Sequence, residues 1–221
     1  MNKSAFVAIV LALLVLSACA APEAKIEEAA PLDVEMQAAA PVRTPFPMQD
    51  GLFTGLPRDF ALQQEELAGL YVAADAGSES DNSALLEARA DGEAYIAATG
   101  RISGYRVQFN RSEEVDTPSY VLNVVNIYET AEGAQLVLSR DWHADVWSLI
   151  DSGQLTQLPD IAGLDTPHIA WVDSNGATAV EFVYRNIYVL ITAPGDGADT
   201  AAFVAELART HFNWIRDGEQ Q

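Results

Sequence analysis

The chain has 221 residues, 49% hydrophobic and 9% aromatic, with 12 lysines and arginines against 32 acidic residues and a net charge of −20. That length suits one globular domain with extensions, or two small domains at most. A domain of about 160 residues buries roughly 70% of its unfolded surface, so it needs neither disulfides nor a structural metal. Acidity this strong repels phosphate backbones and gains nothing from anionic head groups, which sets nucleic acid aside as a partner and leaves charge unable to hold the protein at a membrane.

After Lys3, residues Ala5 to Leu16 form an uninterrupted apolar run of twelve. A bilayer span takes about 20 residues, so the run is too short to cross and has the length of a signal-peptide core. No polar face breaks it, which argues against a buried amphipathic helix. The residues that follow are Leu16, Ser17, Ala18 and Cys19, the only cysteine of the chain. This stretch resembles the lipobox of bacterial lipoproteins. The resemblance implies cleavage before Cys19, acylation of its thiol by palmitate-like chains, and attachment to the outer face of a membrane. It covers residues 1–19 alone. Two or more acyl chains meet the requirement for stable anchoring, which one chain does not. The mature chain then carries no thiol for a disulfide, a metal or a nucleophile.

Residues 19–50 hold five of the ten prolines along with many alanines and acids. With few large apolar side chains they cannot repay their ordering entropy, and read as a tether. A single domain is expected over 51–217, with 218–221 as a tail.

In the domain, 82–100 reads as a helix with Leu85, Ala88, Tyr95, Ile96 and Thr99 near one face, Asn82 or Ser83 as cap and Gly100 as stop. "GYRVQFNR" alternates as a half-buried strand, and "YVLNVVNIYE", apolar on both sides, as a central one. Thr130 caps a helix expected to run through Leu138, Trp142, Val146 and Leu149. A long connection follows to Pro167. "HIAWV", a "DSNG" turn, "ATAVEFVY", a tight turn at Arg185-Asn186 and "IYVLIT" give three more strands, and Asp199 caps a closing helix. The expected class is α+β in the order α-β-β-α-β-β-β-α, an antiparallel sheet of about five strands with helices on one face. Similar ββα segments at 101–148 and 177–216 raise the reading of two pseudo-repeated halves related by a twofold axis.

Motifs for nucleophilic, phosphate-binding and metal chemistry are absent: there is no G-x-S-x-G, P-loop or G-x-G-x-x-G, and His143, His168 and His211 stand far apart. No cofactor or metal is expected. The densest polar and aromatic cluster is "RDWHADVW". It offers Asp141, Trp142, His143, Asp145 and Trp147 as candidate binding residues, with the solvated helix face as the plainer reading. "DAGSESDN" and "GDGAD" are acidic enough for Ca²⁺ but lack the ligand order, so they read as solvated loops. The leading expectation is a lipid-anchored, non-catalytic domain that binds an envelope protein or a small ligand. The alternatives are a hydrolase with paired carboxylates and an assembly factor that pairs through a sheet edge.

Overall fold

The computed structural model describes residues 45–218. The apolar run, the lipobox at Leu16, Ser17, Ala18 and Cys19, and the tether up to residue 44 lie outside the described residues. Every strand pairing is antiparallel. The main sheet runs in the order β3 (Tyr71–Ala73), β5 (Arg101–Arg111), β6 (Tyr120–Tyr128), β10 (Ile187–Ala193), β9 (Thr178–Tyr184), β8 (His168–Asp173) and β7 (Leu155–Gln157). A further strand, β4 (Ser78–Ser80), also pairs with β5, setting Ser78 opposite Arg106 while β3 sets Tyr71 opposite Arg111. β3 and β4 are therefore two pieces of one edge strand, interrupted between them.

The sheet has eight strands where sequence pattern gives about five. The additional ones, β3, β4 and β7, are three residues each, too short to show a period of two. Two short strands, β1 (Met48–Gln49) and β2 (Leu52–Phe53), form a separate hairpin.

Alternation along β6, β9 and β10 creates two apolar faces. On the first lie Val121, Val125, Ile127, Val180, Phe182, Ile187, Val189 and Ile191, covered by Val204, Leu207, Ala208, Phe212 and Ile215 of α5 (Thr200–Asp217). On the second lie Tyr128, Val183 and Tyr188, covered by Tyr95 of α2 (Gly92–Thr99) and by Ala134 and Val137 at α3 (Ala131–Leu136). Helices thus pack on both faces, not one, because strands apolar on both sides need cover on both. The two ββα segments also lack the expected symmetry. A twofold axis normal to the sheet would exchange the antiparallel neighbours β6 and β10 and keep both helices on one face, yet α3 and α5 lie on opposite faces.

Two expected helices are each broken. The first divides into α1 (Asn82–Ala88), capped by Asp81 through Ser83 and Ala84 N–H, and α2, with Arg89 extended between them. The second ends at α3 and resumes as α4 (Ala144–Asp151). Gly133 lets α3 approach the end of α2: a Cβ there would meet the Thr99 carbonyl oxygen at 2.0 Å. Thr130, Gly100 and Asp199 serve as cap, stop and cap as the sequence indicates.

The folded body begins before residue 51. Phe46 packs on Phe53, Phe60 and Trp214, and its N–H donates to Gly218 O. Two buried asparagines fasten this N-terminal strap to the sheet. Asn186 accepts from Phe53 N–H at 2.8 Å and donates to Phe53 O at 3.0 Å and Tyr128 O at 2.9 Å. Asn123 accepts from Leu62 N–H and donates to Leu190 O. In the β9–β10 turn the left-handed residue is Arg185 (φ 52°), while the Asn186 side chain is engaged inward. Among the described residues no helix is long and apolar enough to cross a membrane.

Candidate functional site

Glu181 projects from β9 onto the second face and is 2% exposed. A carboxylate this deep in an apolar layer requires donors. Tyr188 O–H donates to Oε2 at 2.9 Å and the Trp171 indole N–H to Oε1 at 3.1 Å. His143 brings Nε2 within 2.7 Å of Oε2, without the alignment of a hydrogen bond, and keeps a fifth of its side chain exposed. Burial, and then the negative charge of Glu181, raises the Tyr188 phenol well above its ordinary value. Alongside, the Tyr95 and Tyr128 hydroxyls meet at 2.9 Å, and burial followed by the neighbouring Tyr95 raises Tyr128 likewise. Arg101 closes this polar layer through Asn126, Asn82 and Ser80; burial lowers its guanidinium from the ordinary value.

The break between α3 and α4 explains which members of "RDWHADVW" reach this layer. In a continuous helix neighbouring residues diverge by about 100°. The intervening turn lets Trp142 and His143 both face inward, Trp142 edge-on to Tyr95 at 5.9 Å. Asp141 and Asp145 are exposed, so the expected pair of carboxylates beside His143 does not form. Trp147 stays half-buried beneath Arg140, its N–H donating to Leu138 O. Of the five candidates the structure therefore gathers two, Trp142 and His143, and adds Glu181, Trp171 and Tyr188. Sequence did carry a signal for Glu181: it is the lone acid on a strand apolar on both sides.

Strand register lays out the rest of the second face in rows. One row runs Arg106, Val124, Leu190, Glu181, Ile169; the next runs Gln108, Leu122, Thr192, Ala179, Trp171. Leu122 and Val124 belong to neither apolar core, and with Leu190, Thr192 and Trp171 they are half-buried. A partly uncovered apolar strip thus borders the His143–Glu181 pair.

The remaining suspected sites have structural uses. Asp75 accepts from Gly77 N–H and Asp81 caps α1; Asp196 accepts from Ser119 N–H and Asp199 caps α5. His168 Nε2 accepts from Ile161 N–H, pinning the loop before β8. His211 is fully buried on the first face, with Nδ1 3.0 Å from Glu66 Oε1 and Nε2 3.0 Å from Phe60 O. Among the described residues the glutamates with buried side chains, Glu66 and Glu181, lie on opposite faces and cannot flank one bond. Among the described residues no group of three His, Cys, Asp or Glu side chains is placed to hold a metal ion.

No protein-family model matches the chain, and no curated protein matches its sequence. Among solved structures, the extracellular domain of PknH from Mycobacterium tuberculosis is similar at 12% identity, with a TM-score of 0.45, covering 72% of this chain and 94% of that one.

Proposed function

We propose that the chain is a lipoprotein, acylated at Cys19 and held at the outer face of a membrane, whose α+β domain binds a small ligand or a protein partner without catalysing a reaction. The observation that supports the binding reading is the half-buried strip of Leu122, Val124 and Leu190 beside a partly exposed His143 set over a buried Glu181. A buried carboxylate next to a strip of half-buried aliphatic side chains combines a polar and an apolar element on one face, as small-ligand sites do. Labelled palmitate should enter the wild type and be lost in Cys19→Ser. A photo-crosslinking residue at Leu122 should give adducts in the native envelope, while one at the exposed Glu206 of α5 gives none. Equal labelling at both positions, or at neither, would overturn the binding reading, and turnover of any substrate abolished by Glu181→Gln would overturn the non-catalytic part.

A further inference from the structure

We infer that the strip on the second face takes a small amphipathic monocarboxylate, its anionic head on Arg106 and its apolar chain along Val124 and Leu190 toward His143. This rests on the strip being the binding surface proposed above and names the class of its occupant.

The argument begins with charge. Acids outnumber bases 32 to 12, so an arginine in this chain finds a partner easily. Arg58, Arg89, Arg140, Arg209 and Arg216 each pair with a carboxylate. Arg101, Arg111 and Arg185 hold carbonyls or amides. Arg106 makes no hydrogen bond or ion pair among the described residues, and it is exposed. Its position keeps it apart: it sits on the second face of β5, with Ser78 and Val124 as its cross-strand neighbours. Asp196 is the acid nearby; it and Arg106 act in opposite directions on the Tyr120 hydroxyl, and Asp196 Oδ1 accepts from Ser119 N–H without forming an ion pair with Arg106.

Register then sets the length. Arg106, Val124, Leu190 and Glu181 stand on four consecutive strands. Three strand intervals span about 14 Å. Two aliphatic side chains lie between the charged ends, and the adjoining row adds Leu122 and Trp171. The polar groups of that row are already used: Gln108 donates to Asn110 and Thr192 to Thr178 O. What the strip leaves unpaired at its surface is the Arg106 guanidinium at one end; at the other the partly exposed His143 ring closes it, with Nε2 turned inward against Glu181. An arginine fork fits a carboxylate in two parallel hydrogen bonds, while an aliphatic or aryl chain covers the floor. A cationic head would meet Arg106 with like charge, and a neutral one would leave it unpaired.

Equilibrium dialysis of octanoate, octanol and octylamine against the full-length protein in nanodiscs, with empty nanodiscs as blank, tests this. Octanoate should bind in a one-to-one ratio, at least about tenfold tighter than octanol or octylamine, a margin that one charge-assisted bidentate contact supplies. Arg106→Gln should abolish that preference, and Arg106→Lys should keep part of it. The change in tryptophan emission on octanoate binding should be reduced in Trp171→Phe. Equal affinity for octanoate and octanol, or a preference unchanged in Arg106→Gln, overturns the assignment. If no probe binds while crosslinks from Leu122 persist, the ligand class falls and the binding surface stands. If both are absent, the two fall together.

Discussion

Two histidine–glutamate pairs face opposite sides of one sheet, and they are built for different ends. On the first face His211 is completely buried, both of its ring nitrogens are engaged, and Trp214 stacks on it at 5.1 Å. It ties α5 to the strap through Glu66 and Phe60 O, so it acts as a rivet. On the second face His143 sits in an irregular turn, a fifth exposed, against a glutamate whose other donors are Tyr188 and Trp171. Removing it leaves Glu181 with two partners. The same two residue types rivet the fold where both ring nitrogens are bonded, and leave a partly exposed ring where Nε2 has no aligned hydrogen bond.

The comparison breaks or sharpens by substitution. His211→Leu strands Glu66 in the core and should cost about 3–5 kcal/mol in urea unfolding. Asn186→Ala releases the strap and leaves Phe53 N–H unpaired, for about 1–3 kcal/mol by the same measurement. His143→Ala should cost only about 1 kcal/mol, and a loss as large as that of His211→Leu would end the distinction. The alkaline limb sharpens it further. An unfolded tyrosine ionises near about pH 10, while burial and Glu181 keep Tyr188 neutral in the fold. Its contribution is whole below that pH and is lost as pH climbs through the raised folded value. Tyr188→Phe should therefore flatten the fall in unfolding midpoint above about pH 10, in part only, because Tyr128 is raised too. The smallest effect belongs to Asp141→Asn with Asp145→Asn: both are exposed, and the pair should stay within about 0.5 kcal/mol of wild type.

Sequence pattern was informative where an element is long. β5, β6, β8, β9, β10 and α5 are legible from periodicity, and Thr130, Gly100 and Asp199 from capping chemistry. It was silent where three residues make a strand, and it misled where a break inside a helical pattern comes from tertiary packing, as between α3 and α4. The strap was missed for another reason. Its bonds are to Asn123 and Asn186, far away in the chain, and a buried asparagine leaves no periodic trace. Of the site, His143 and Trp142 were legible as a cluster. Glu181 was legible only once β9 is recognised as covered on both faces, and the row that joins Arg106 to Glu181 exists only through strand register.

The bond from Phe46 N–H to Gly218 O brings the two ends of the described chain together at one pole, with Gly218 small enough for the Phe46 ring to rest on it. Joining those ends by a short linker and opening the exposed β8–β9 turn at Ser174 and Asn175 is therefore a permutation the architecture tolerates. Such a rearranged protein would carry its termini at the β8–β9 turn, with the Phe46–Gly218 contact closed into a loop.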